Sequence, residues 1–369
     1  LYPENYILTS RDIPAFLHAL VIVVLCFKSY LSDHLGCEIF NLLTLKQYEL
    51  LSKNLHKAKE QFVLGLPGTG KTIVALKIIE RIRNIFHCST KEILYICENQ
   101  ALKKFVGSDI CRSVTRVAFL NGDFPEVKHI VVDEAQNFRP EENWHQCAQE
   151  LVKKKSGIFW VFLDFFQSTH PYGCGLKFSE LYPQEWLTKV VCNAKQIYNV
   201  MFNLMEEILQ ECNTDMPYEV LEELFKQAEC AHSLSGDYII KKKNMGTFEM
   251  AEYVTRQCNS YIQQGYPVKD IAILCSTQHA ARVFSQILEP ELKRQIRKCR
   301  VRLVLGLAEN VLEDVIVLES IQHFSGLERR IVFGIHSVPA QKELSLNLLL
   351  CVASRTNTKL HLLYHREKT

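Results

Sequence analysis

The segment Gly65-Leu66-Pro67-Gly68-Thr69-Gly70-Lys71-Thr72 sets the tightest limit on this chain. It fits G-x-x-x-x-G-K-[ST] at every fixed position. It follows a short apolar run at 62–64 and opens a helical pattern at 72–86. That strand, turn and helix order is the context the motif needs. Glycines let backbone N–H groups close around phosphate oxygens, and a helix N-terminus adds partial positive charge. Lys71 is expected on β- and γ-phosphates and the Thr72 hydroxyl on Mg²⁺. Gly65, Leu66, Pro67, Gly68, Thr69 and Gly70 would form the cradle.

A loop of this kind needs a parallel sheet, and the chain supplies one. Apolar runs at 62–64, 93–97, 129–132 and 159–163 alternate with helical stretches. Such alternation means βαβ units, and strands without polar alternation fit a sheet covered on both faces. Strand-like runs resume at 238–240, 271–275, 302–305, 315–318, 331–334 and 360–363. The fold class expected is α/β, two RecA-like lobes with parallel sheets and a cleft between them. Residues 1–60 read as a helical lead-in and 61–190 as the first, nucleotide-binding lobe. Residues 191–369 read as the second lobe, with an acidic helical insertion at about 196–235.

The run His129-Ile130-Val131-Val132 ends in Asp133 and Glu134. Asp133 is expected to hold the magnesium of bound ATP. Glu134 would orient the attacking water and take its proton. Composition narrows the rest. The 43 Lys and Arg against 41 Asp and Glu leave a net charge of +2, so no global field draws in nucleic acid. The 14 cysteines contain no C-x-x-C pair and sit in apolar runs, which reads as buried thiols rather than disulfides or zinc ligands. The apolar run 15–27 is shorter than the roughly 20 residues of a membrane span. It reads as a buried helix. The first residue is Leu1, with no secretory leader pattern, and the chain reads as a piece of a longer, unsecreted protein.

Further features narrow the nucleotide reading. Gln47, ahead of the loop, is placed to read an adenine edge. Gln167, at the end of Leu163-Asp164-Phe165-Phe166-Gln167, could sense a γ-phosphate. Ser325-Gly326-Leu327-Glu328 lies between two strands of the second lobe. Arg355, in Val352-Ala353-Ser354-Arg355, is placed as an arginine finger that stabilises charge on a transferring phosphoryl group. The order of these motifs resembles superfamily 1 helicases. More narrowly, the chain resembles the C-terminal half of the large-class Schlafen proteins over essentially its whole length. Leu1-Tyr2-Pro3-Glu4-Asn5-Tyr6, Asn41 to Leu50, Ile93 to Gln100, Asp133 to Arg139 and Phe324 to Arg329 carry that resemblance, with the phosphate loop.

The resemblance implies an RNA endonuclease core outside this chain, acting on transfer or ribosomal RNA and restricting translation or stressed replication. It places the protein in the nucleus, the cytoplasm or both. It admits transfer RNA or the ribosome as partner, and a homodimer of the full-length protein. One departure stands out. In Val190-Val191-Cys192-Asn193-Ala194-Lys195, Cys192 occupies the position expected to offer an arginine to the γ-phosphate. Lys195 is nearby but lacks the planar fork of arginine. Losing one such donor costs about 10²–10³ in rate.

Six basic residues fall between Lys293 and Arg302. On a helix, Lys293, Arg297 and Arg300 share one face, as do Arg294 and Lys298. Phosphate contacts from Lys293, Arg294, Arg297 and Lys298, with Asn99 after the 93–97 strand, would bind single-stranded RNA or DNA with salt-dependent affinity. The runs 153–155 and 241–243 add charge. A solvated face is the plain alternative for each run, and no RNA-binding signature with stacked aromatics is visible. Two functions follow. One is an ATP-driven motor on a single strand. The other is a nucleotide-gated binding module with slow or absent hydrolysis.

Overall fold

Strands that are buried on both faces organise the molecule. The computed structural model describes residues 44–140, 143–170, 173–177, 181–211, 217–231, 234–237, 239–299, 305–336 and 342–366. The apolar run 15–27 and the motif segments 1–6 and 41–43 lie outside the described residues. The first sheet contains β1 (Glu60–Gly65), β2 (Ile93–Cys97), β3 (Arg112–Thr115), β4 (His129–Val132), β5 (Phe159–Leu163) and β6 (Gln184–Leu187). Their order across the sheet is β3-β2-β4-β5-β1-β6, and every pairing is parallel. Every residue of β2, β4 and β5 is buried, which is why these strands carry no polar alternation.

Helix α1 (Leu45–Ser52) starts at a capping box. The Thr44 side chain accepts from the Gln47 amide, and the Gln47 side chain accepts from the Thr44 amide. Helix α2 (Lys71–Phe86) buries Val74, Ala75, Ile78, Ile79 and Ile82, a stripe at helical spacing facing the sheet. Helices α3 (Gln100–Val106), α4 (Arg116–Leu120) and α5 (Trp144–Lys154) complete this lobe.

The second sheet contains β9 (Ile240–Met245), β10 (Ile271–Cys275), β11 (Leu305–Gly306), β12 (Ile316–Ser320), β13 (Arg329–His336) and β14 (Thr356–His365). Between the sheets come a two-stranded pair, β7 (Lys189–Val190) with β8 (Glu229–Cys230), and helices α6 (Lys195–Glu211) and α7 (Tyr218–Lys226). Helices α8 (Thr247–Gln263), α9 (Gln278–Cys299) and α10 (Lys342–Ser354) follow. The second sheet is also wholly parallel, in the order β11-β12-β10-β13-β14-β9.

Its side chains divide with period two. Ile271, Ile273, Ile331 and Phe333 join a separate core with Tyr253 and Val254 of α8 and Phe284 of α9. The intervening Ala272, Leu274 and Val332 turn the other way, into a core continuous with the first lobe. Residues Ile197, Met201 and Met205 of α6 belong to that shared core, and α6 packs on α10. The stretch read as a helical insertion thus contributes α6 to the shared core. Two parallel sheets, each flanked by helices, make this an α/β fold of two RecA-like lobes.

Candidate functional site between the lobes

The phosphate loop runs from the C-terminal end of β1 into α2, and β5 separates β1 from β4. The loop has no room for side chains at its glycines. Gly68 has φ +70° and Gly70 φ +75°, and a Cβ on Gly68 would lie 2.0 Å from Asn193 Oδ1. Thr69 Oγ1 donates to Leu66 O at 2.7 Å and braces the turn. Gln47 lies beneath it, donating from Nε2 to Thr69 O at 2.8 Å while its Oε1 accepts from Thr44 N at 2.7 Å. The structure thus places Gln47 as a buried support of the loop. That differs from a free amide facing an adenine, because both ends of the side chain are engaged within the protein.

Lys71 is buried. Its Nζ donates to Gly65 O at 3.1 Å, Leu66 O at 2.9 Å and Asp164 Oδ2 at 2.9 Å. Asp164 closes β5 just as Asp133 closes β4. Burial lifts the Asp164 carboxyl above its ordinary range, more than the Lys71 charge lowers it.

Asp133 is fully buried. It accepts hydrogen bonds from the Thr72 hydroxyl, from Tyr95 OH at 2.8 Å and from Glu134 N at 2.9 Å. Burial and the neighbouring Glu134 charge raise its carboxyl to about 6. Glu134 has φ +55°, a left-handed conformation uncommon for a residue with a side chain. It is buried, which pushes its pKa up, but the Arg355 and Lys71 charges outweigh that and hold it below the usual range. Thr72 beside Asp133 makes an all-oxygen pair suited to a hard cation.

The second lobe reaches Glu134 directly. Ser325 Oγ donates to Glu134 Oε2 at 2.6 Å, and Arg355 Nη2 lies 3.4 Å from the same oxygen. Arg355 Nη2 also donates to Gln167 Oε1. Gln136 Nε2 donates to Glu134 Oε2 at 3.0 Å, and Gln136 Oε1 accepts from Asp164 N at 3.0 Å. The two acidic strand ends are therefore laced together. The Arg355 Nε is buried with no hydrogen-bond partner. A buried guanidinium donor left open beside Lys71 fits an anionic ligand. The cleft that Lys71, Thr72, Glu134, Gln167 and Arg355 line holds about 380 Å³ of space, open to solvent. Cys192 and Glu328 line it too.

Cys192 thus stands at the cleft, where the sequence suggests an arginine, while Lys195 is exposed and lies 4.7 Å from the Tyr198 ring centroid. Asn99 is buried. Its Oδ1 accepts from Leu102 N at 2.6 Å as the cap of α3, and its Nδ2 donates to Ser325 O at 2.8 Å. It joins the lobes, with both ends of its side chain engaged within the protein. Of the basic cluster, Arg294 is exposed on α9 and pairs with Glu291 at 2.7 Å. The side chains of Lys293, Arg297 and Lys298, and all of Arg300 and Arg302, lie outside the described residues.

Asp164, Ser325 and Asn193 fall inside segments singled out in the sequence but carry no individual role there, and their contacts emerge from the folded arrangement. Asp164 has a sequence signal, since it ends an apolar strand in the same way as Asp133. Among the described residues no cluster of side chains is arranged to hold a metal by itself, and no helix is long and apolar enough to cross a membrane.

The family model for the Schlafen group 3 DNA/RNA helicase domain matches residues 59–315. The match contains the loop, Asp133, Glu134 and Gln167, and it ends before Ser325 and Arg355. Among solved structures, a PRRSV helicase is 12% identical, with a TM-score of 0.40 over 86% of this chain and 54% of its own. An arterivirus nonstructural protein 10 helicase solved with DNA is 11% identical, with a TM-score of 0.42 over 86% of this chain and 62% of its own. The chain spans less than two thirds of the length of either.

Proposed function

Since the chain belongs to the Schlafen group 3 DNA/RNA helicase domain family, we propose that it binds Mg-ATP between its lobes and that this binding gates contact with single-stranded RNA or DNA. The observation that carries the reading is convergence. Lys71, Glu134 and Gln167 from one lobe and Ser325 and Arg355 from the other meet at one cleft.

Bound Mg-ATP supplies the transferable phosphoryl group and a divalent charge that screens its oxygens. Lys71 and the loop amides bind the phosphates. Thr72 and Asp133 are the residues that would hold the magnesium. Glu134 is the candidate base for water, and the Arg355 and Lys71 charges, which hold its pKa below the usual range, keep it ionised near neutral pH. Arg355 and Gln167 report the terminal phosphate from opposite lobes. Gln47 keeps Thr69, and so the loop, in register.

Cys192 favours the second reading for the chemistry. A thiol at the cleft offers no planar pair of donors to a phosphoryl group, and the Lys195 ammonium lies over the Tyr198 ring, outside the cleft lining. We therefore read the domain as a nucleotide-gated module with slow turnover. It would act for an RNA endonuclease in the same longer protein.

Steady-state ATPase assays with and without single-stranded RNA and DNA, alongside Mg-ATP thermal shifts, test this. Mg-ATP should raise the melting temperature of the wild-type chain, since a ligand of the native state alone stabilises it. Absence of any shift, at any nucleotide concentration, would sink the reading. Glu134→Gln should keep the shift and lose residual turnover. Cys192→Arg should raise turnover, by up to about 10²–10³ if the missing donor is limiting.

A further inference from the structure

The residue after Cys192 makes a connection that no motif accounts for. Asn193 is fully buried. Its Nδ2 donates to Ser354 O at 3.1 Å and Thr356 O at 2.7 Å, the two carbonyls that flank Arg355. On its other side, Asn193 Oδ1 faces Gly68 of the phosphate loop so closely that a Cβ there would overlap it. The backbone repeats the link. Val191 N and Cys192 N donate to Gly68 O at 2.8 and 3.1 Å, and Asn357 Nδ2 donates to Cys192 O at 2.9 Å. Asn193 Oδ1 has no hydrogen-bond partner, and neither has Arg355 Nε. Unpaired buried polar atoms are costly, and two at opposite ends of one strut mark a site built for something beyond packing.

We infer that Asn193 is a positioning residue that fixes Arg355 relative to the phosphate loop, and so sets how strongly the cleft prefers a nucleoside triphosphate to a diphosphate. The inference rests on the nucleotide reading above. Its oxygen is an acceptor and cannot itself hold a phosphate, so it acts through its neighbours. The amide pins both sides of Arg355, and its carbonyl wedges against Gly68. Asn193 therefore holds Arg355 of the second lobe at a fixed spacing from the loop of the first. Truncating Asn193 releases the backbone on either side of Arg355 while leaving Lys71 and the loop sequence intact.

The test is calorimetric titration of the whole chain with Mg-AMPPNP and with Mg-ADP. The variants are Asn193→Ala, Arg355→Ala and the double variant. An arginine-phosphate contact is worth roughly 10- to 100-fold in affinity. Arg355→Ala should lose about that factor for Mg-AMPPNP and little for Mg-ADP. Asn193→Ala should lose a comparable factor with the same selectivity, and the double variant should lose no more than Arg355→Ala alone, because both remove one interaction. If Asn193→Ala does not melt cooperatively, Asn193→Ser takes its place, since it is a smaller lesion that also removes the amide. Retained triphosphate preference in the folded Asn193 variant, with the preference lost in Arg355→Ala, overturns the inference alone. Losses that multiply in the double variant overturn it as well. Wild type that binds neither probe overturns the nucleotide reading, and this inference falls with it.

Discussion

Lys71 and Asp164 show how two residues serve a site and the fold together. Both are buried, and Lys71 is the cation held against the Asp164 carboxylate at 2.9 Å. Removing one member of a buried pair leaves an uncompensated charge, at a cost of about 3–5 kcal/mol. Lys71→Ala should therefore lower the melting temperature of the nucleotide-free protein as well as remove Mg-ATP binding. Lys71→Ala with Asp164→Asn should recover much of the melting temperature and none of the binding. Melting curves with and without Mg-ATP check both, and equal melting of the two variants would mean that Asp164 carries no charge in the fold. Gly68 makes a sharper demand. At φ +70° a residue with a Cβ carries backbone strain of about 1–2 kcal/mol, and here the added carbon also meets Asn193. Gly68→Ala should abolish Mg-ATP binding, read by the same thermal shift.

Among the elements, those legible in the sequence are the ones that packing dictates on both faces. The runs 93–97, 129–132, 159–163 and 271–275 read as strands because every residue in them meets core. Strands β3, with sequence RSVT, and β6, with QEWL, lie at sheet edges and carry exposed or half-buried polar residues. Pairing with a neighbour makes them strands, not their composition. The run 238–240 shows only the start of β9, because Lys241, Lys242 and Lys243 face solvent on an edge strand. The candidate site divides the same way. A fixed pattern marks Lys71 and Thr72, whereas Asp164, Ser325 and Asn193 depend on which elements become neighbours. β14 carries a consequence of such adjacency. His361 lies between Tyr253 OH at 2.9 Å and Tyr261 OH at 2.7 Å and stacks on Phe333 at 4.4 Å. Burial, helped by the Lys359 charge, lowers its pKa to about 4. The unfolded chain, with a histidine near 6.5, binds the proton first, so stability is full above about 6.5 and falls as pH drops toward about 4. The full effect is about 3 kcal/mol. His129, lowered to about 4 by burial in the first lobe, adds a loss of the same sign. Melting temperature should fall between about pH 6.5 and about pH 4, and His361→Gln should flatten that slope. An unchanged slope in the variant would assign the acid sensitivity elsewhere.

The two lobes share one continuous core and a buried hydrogen-bond network through Ser325, so they are joined by packing as well as by polar contacts. Its net charge of +2 gives no long-range pull on nucleic acid, so any binding must come from local surfaces. Among the described residues, exposed basic side chains occur at Arg294 on α9, on the edge strand β9 at Lys241, Lys242 and Lys243, and at Lys153 to Lys155 at the end of α5. If the α9 end tracks a sugar-phosphate backbone, Arg294→Ala, Arg297→Ala and Lys298→Ala together should weaken binding by a similar factor for unrelated single strands. The slope of log affinity against log salt should become shallower by up to about 0.7 for each phosphate no longer neutralised. Arg294 already pairs with Glu291, an exposed pair of little energetic worth, so its removal should hardly move the melting temperature. A parallel variant with Lys241, Lys242 and Lys243 changed to alanine separates the surfaces. Weakening confined to the β9 variant moves the binding surface to the sheet edge. Weakening in both, with slopes that add, describes one strand crossing the second lobe from α9 to β9. Unchanged affinity and slope in both variants would make the two basic runs solvated faces and remove them from the binding surface.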